Sequence, residues 1–144
     1  MELEDFLEEL RRLLEEMTYE GDGLVPGYLQ PLLVEAWPEV RAQYDALQSN
    51  VKSGSYESGL EQAGLRGPQF RLKAEGFRRH LSIFRKDRNP KWLKKLLRWG
   101  DIILGSLASV IPGGDAVQEF KEAIEAGAED MDDGSAQQTE EAQP

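Results

Sequence analysis

Four groups of residues in this chain have types and spacings that could do chemistry. Ser49 and Lys52 form an S-x-x-K pattern, which places an amine one helical turn from a hydroxyl it could deprotonate. The companion motifs of that chemistry are missing, and two fixed positions in four recur by chance. Asp130, Asp132 and Glu141 fall at the first, third and twelfth positions of a calcium loop. However, Gly134 takes the fifth position, Ser135 replaces the glycine required at the sixth, and no exit helix follows, so a solvated acidic tail is expected instead. His80 is the only histidine, set beside Arg78 and Arg79, and the nearest carboxylate in sequence, Glu75, lies on a different helical face. Nothing orients that imidazole as a base.

The absence of cysteine excludes disulfides, thiolate nucleophiles and cysteine zinc sites, and one histidine cannot make an all-histidine metal site. There is no G-x-S-x-G elbow and no glycine-lysine phosphate loop. No catalytic residue, metal ligand or cofactor site is assigned.

The fourth group is a block of charge. Residues 1–65 carry 14 acidic and 4 basic side chains, residues 66–98 carry 2 acidic and 12 basic, and residues 99–144 carry 11 acidic and 1 basic. The net charge of −10 therefore hides a basic island: Arg66, Arg71, Lys73, Arg78, Arg79, Arg85, Lys86, Arg88, Lys91, Lys94, Lys95 and Arg98. Such segregation serves either a surface for an anionic partner or a clamp closed on the protein's own acidic flanks.

Within the island, Pro90 to Trp99 sets lysines against tryptophan and leucine, the make-up of a helix lying in a membrane interface. Lys91 and Lys94 near a helix N-terminus oppose the macrodipole by about 0.3–1 kcal/mol each. Something negative must sit near them: a lipid head group, a phosphate, a partner's acidic surface, or this chain's first and last helices. Trp99 falls off the main apolar face and, if exposed, would anchor a contact. Gly100, Gly105, Ser106 and Ser109 permit close helix approach, in the core or between copies. A helix-turn-helix over Leu60 to Phe77, with Arg71, Lys73 and Arg78 on the reading helix, fits poorly. Its first helix would be very short, Gly67-Pro68 crowds the turn, and a net charge of −10 repels DNA.

These residues must be positioned by helices. Leu3, Phe6, Leu7, Leu10, Leu13, Leu14 and Met17 recur at steps of three and four, predicting a helix over 2–17. Pro31 and Pro38 each suit a first helical turn, predicting helices over 29–36 and 38–51. A mobile loop over 52–59 and a turn of helix at 60–63 follow. The stripe Phe70, Ala74, Phe77, Leu81, Phe84 predicts a helix over 68–85, and Asn89-Pro90 opens another to about 111. Asp115 with Gln118 reads as a capping box before a last helix over 116–127. No stretch alternates with period two, so no sheet is predicted.

With 144 residues, 40% hydrophobic and 31% charged, the chain can fill one core. The expected fold is all-α, a compact bundle of five or six helices over 1–128 with a disordered acidic tail over 129–144. The acidic start lacks the pattern of a secretory signal, and the longest uncharged run, Ile102 to Gly114, is 13 residues, so a cytoplasmic protein, at most peripheral at a membrane, is expected. The expected function is a non-enzymatic interaction or adaptor module. It would dock a face built from Arg71, Lys73, Arg78, Arg79, Arg85, Lys86, Lys91, Trp92, Lys94, Lys95, Arg98 and Trp99 onto an acidic protein surface or a second copy. Anionic membrane, bound through 90–111, is the alternative partner, and nucleic acid, bound through 66–98, the second.

Overall fold

The first apolar stripe folds as α1 (Leu3–Glu20), and all seven of its large apolar side chains are buried. In the computed structural model of this chain, the backbone is described for residues 1–141 and side chains for residues 1–133. After α1 come α2 (Gln30–Lys52), α3 (Glu57–Gln62), α4 (Gly67–Lys86), α5 (Pro90–Ala108) and α6 (Asp115–Glu141). The protein is all-α, a six-helix bundle, and among the described residues the only β pairing is an isolated bridge between Asp22 and Val25.

α1 touches α2, α4 and α6. Phe6 meets Phe77 of α4 edge to face, with ring centroids 4.8 Å apart. The buried Tyr44 hydroxyl of α2 donates to the Leu7 carbonyl at 2.8 Å, and Trp37 Nε1 donates to Glu15 at 3.1 Å. Trp37 also lies 5.4 Å from Phe120 of α6, so one side chain joins three helices. The Gln30 amide donates to the carbonyls of Met17 and Thr18, capping the C-terminal end of α1 from the start of α2.

Two expected boundaries are corrected. The segments 29–36 and 38–51 are one helix, α2, with Pro38 inside it. Pro38 and Val34, whose carbonyl loses its partner, both sit on the exposed face, where water can serve the carbonyl. Leu33 and Trp37 before the proline and Val40 and Tyr44 after it are buried in the same core, which holds the two halves in line. The last helix runs on past 127. Ala128 is buried, Tyr28 donates to Asp130 at 3.2 Å, and Lys94 binds Asp132 at 3.3 Å. The expected tail thus begins as helix over 129–133, and the calcium-loop reading loses two of its residues to these contacts. Glu141, its third, has a side chain outside the described residues. Nor does Gln118 close a capping box: its amide donates to Asp101 and Glu122 instead.

Glu8 bridges α1 to α2. Arg11 donates to it at 2.7 Å and Gln48 at 3.4 Å, and the Arg11 hydrogen bond is the main reason its carboxyl pKa falls from 4.5 to about 2, against the opposing effect of burial. A carboxyl depressed in the folded state contributes stability that is complete above about pH 4.5 and lost as the pH falls toward 2. Glu8→Gln should therefore flatten the acid limb of a stability-versus-pH curve measured by urea unfolding. An acid limb as steep as the parent's would contradict this.

Candidate interaction surface

The geometry divides the basic island in two. One part closes on the acidic flanks: Arg71 on Glu2 and Arg85 on Glu9, each at 2.7 Å, and Arg88 on Glu16, all between α4 and α1. Arg66 spans Glu4 at 2.6 Å and Glu57 at 2.9 Å. From α5, Lys94 reaches Asp132 and Arg98 reaches Glu125 at 3.4 Å, both on α6. Lys73 is committed to the Ala63 carbonyl at 2.9 Å. So all three cations of the expected reading helix are engaged inside the chain, Arg71 with Glu2, Lys73 with the Ala63 carbonyl and Arg78 with Glu75. Arg78 and Arg79 share Glu75, at 2.9 and 3.9 Å, and the Arg78 hydrogen bond holds that carboxyl below its ordinary value.

The other part faces outward. Among the described residues, Lys86, Lys91 and Lys95 have no carboxylate within 4.0 Å. Lys91 and Lys95 lie over the Trp92 ring, 5.2 and 4.9 Å from its centroid, and the ring's Nε1 donates to Asp87 at 3.1 Å. The Asn89 cap and Pro90 form as the sequence predicts, with Asn89 Oδ1 accepting from the Lys91 amide at 2.9 Å.

Between α4 and α5 runs an open groove of about 410 Å³ lined by His80, Lys95, Arg98, Trp99 and Ile102. His80 sits between two indoles, 6.3 Å from Trp92 and 5.9 Å from Trp99. Its Nδ1–H donates to the Gly76 carbonyl at 2.8 Å, which leaves Nε2 as the unassigned ring nitrogen. Trp99 lies flat on Gly76: a Cβ there would stand 2.5 Å from the indole, so the bare backbone is what lets the ring settle. Two apolar side chains join this face: Ile102, 51% exposed, and Leu72, 78% exposed and one turn from Gly76 on α4. Sequence reasoning missed both. Leu72 interrupts a polar stretch between Arg71 and Lys73, and Ile102, next to Asp101, falls off the buried stripe of α5; those positions are the signal.

The apolar side of α5 is turned inward. Leu93, Leu96, Leu97, Gly100, Ile103, Leu104 and Leu107 are all buried, which takes them away from any membrane. Gly100 packs toward Leu10 of α1, in the core, whereas Gly105 opens onto a separate cleft of about 250 Å³ beside Leu47, Ile111 and Val117. Ser106 and Ser109 hydrogen-bond back to carbonyls of their own helix segment. Ser49 and Lys52 lie exposed on the last turns of α2, and no hydrogen bond joins them. A third missed residue is Lys121, 0% exposed, held by Asp101 and by Glu125 at 3.3 Å. The stripe Val117, Phe120, Lys121, Ile124, Ala128 places this lysine at a core position, legible in hindsight from its spacing.

No helix among the described residues is long and apolar enough to cross a membrane. Comparison with protein families, with characterised proteins and with solved structures returns no match.

Two predictions follow from this division. Arg85→Glu with Arg88→Glu should lower the thermal midpoint, by an amount corresponding to roughly 1–2 kcal/mol and reduced by salt. Lys91→Glu with Lys95→Glu should leave the midpoint unchanged or raise it, since carboxylates suit a helix N-terminus. Equal losses from the two pairs would refute the division. Gly76→Ala should cost about 1–3 kcal/mol and alter tryptophan emission, because the ring must leave its seat. An unchanged spectrum would show that Trp99 is not held there.

Proposed function

We propose that this chain is a non-enzymatic interaction module that docks the outer face of α4 and α5 onto an acidic protein surface. What supports the reading is the company kept by the outward cations. Lys91 and Lys95 stand beside half-buried Trp92 and Trp99 and exposed Ile102, so positive charge and apolar area share one face. Interface cores are enriched in aromatic residues, and a charged rim adds specificity and association rate. A fully hydrated lysine patch needs neither indole.

A membrane surface fits this face less well, because the broad apolar side of α5 is inside the bundle and only isolated apolar side chains remain outside. Nucleic acid fits less well too, with Arg71 and Lys73 already engaged and 27 acidic residues in the chain.

A synthetic amphipathic helix of glutamate and leucine, titrated into the full chain at low ionic strength, tests the reading by tryptophan fluorescence. Buried Trp37 supplies a constant background. The expected result is a saturable shift in the micromolar range, roughly −8 kcal/mol of binding, weakened at least tenfold by Trp99→Ala. No saturable shift, or binding to phosphatidylglycerol vesicles or an oligonucleotide in place of the peptide, would overturn it.

A further inference from the structure

The acidic surface that best matches this face is on the same chain. A groove of about 410 Å³ runs between α2 and α6, walled by Leu29, Leu32, Leu33 and Phe120 and hollowed by Ala36 and Ala123. Glu39 and Glu119 line it. Glu35 lies one helical turn before Glu39, and among the described residues none of the three has a cation within 4.0 Å. Leu32 is 58% exposed and Tyr28, just before α2, is 70% exposed.

Spacing carries the match further. On α5, Lys91, Lys95, Arg98 and Ile102 are separated by four, three and four residues and so fall on one face. On and just before α2, Tyr28, Leu32, Glu35 and Glu39 are separated by the same four, three and four. Laid antiparallel, the two stripes bring Lys91 to Glu39, Lys95 to Glu35, the aliphatic stem of Arg98 to Leu32, and Ile102 to Tyr28. Laid parallel, Lys91 meets Tyr28, Lys95 meets Leu32 and Ile102 meets Glu39, so two cations face apolar residues, an apolar residue faces a carboxylate, and one ion pair, Arg98 with Glu35, replaces two. The two grooves cannot meet within one molecule. α6 packs against both α5 and α2, so the α5–α6 contact separates the two seams.

We propose that the α4–α5 face docks on the α2–α6 groove of a second copy of this chain, with α5 antiparallel to the partner's α2. This rests on the reading above and names its partner. Because the two patches differ, each copy in a single contact keeps its other patch unused, and the assembly is head-to-tail.

Sedimentation of the full chain over a concentration series at low salt tests this. The parent should self-associate, and added salt should weaken the association. Lys91→Glu/Lys95→Glu and Glu35→Lys/Glu39→Lys should each be monomeric alone, with helicity unchanged by circular dichroism. Mixed, they would put reversed lysines against reversed glutamates at one interface and keep the native pairing at the other, so the mixture, unlike either variant alone, should restore association like the parent's, with the two variants alternating. Because the chain has no cysteine, register can be read separately by crosslinking, and the first of two cysteine pairs leaves both ion pairs intact. Ile102→Cys mixed with Tyr28→Cys should form an intermolecular disulfide, and Ile102→Cys mixed with Glu39→Cys should not. A parent that stays monomeric, variants that assemble as the parent does, or a crosslink only in the second mixture would each overturn the proposal. If the parent is monomeric but the acidic peptide still binds, the second copy is refuted as partner and the docking face survives; if the peptide fails as well, the docking face falls with it.

Discussion

The pairing of polar groups along the two edges of α1 is the constraint on which the rest of this structure depends. At 100° per residue, the apolar residues of α1 leave two polar edges. One carries Glu2, Glu9 and Glu16, seven residues apart, and meets Arg71 and Arg85 of α4 and Arg88 just beyond it. The other carries Glu8, Arg11 and Glu15 and meets Gln48, Arg41 and Trp37 of α2. Because Glu2 meets the start of α4 and Glu16 the residue just past its end, the two helices run in the same direction, with Phe6 on Phe77 between them. Each exposed ion pair is worth little alone. Together they choose which edge of an otherwise uniform apolar helix faces which neighbour.

That choice settles what is left over. Once α1 and α6 have taken the cations that face them, α5 presents the lysines beside Trp92, and α4 presents Lys86 together with Arg78 and Arg79 around Glu75. The groove that results is shaped by absence as much as by charge: Gly76 has no side chain, so Trp99 can lie down across α4 and His80 can stand between two indoles. Similarly, Ala36 and Ala123 open the opposite seam between α2 and α6. The molecule thus carries a cationic aromatic face and an anionic apolar one, turned away from each other by the α5–α6 contact.

Much of the bundle was legible beforehand. Apolar spacing marks α1, α4 and α5 because helix period and burial act on neighbouring residues. The prolines misled at α2, because a proline is read as a start from its missing N–H alone, and whether that loss matters depends on which way the Val34 carbonyl faces. The end of α6 misled for a related reason: an acidic, apolar-poor segment has no core of its own, and only Tyr28 and Lys94, distant in sequence, give Asp130 and Asp132 something to bind.

The order of residues by itself determined the helical class, the buried stripes and the partition of charge into three blocks, since composition and periodicity are local properties. Only the tertiary structure decided which cations are neutralised inside the chain and which face outward. It also decided that buried Lys121 has carboxylate partners and that Ile102 lies beside Trp99. Charge pairing and exposure depend on distances between segments tens of residues apart, and packing of the folded core sets those distances.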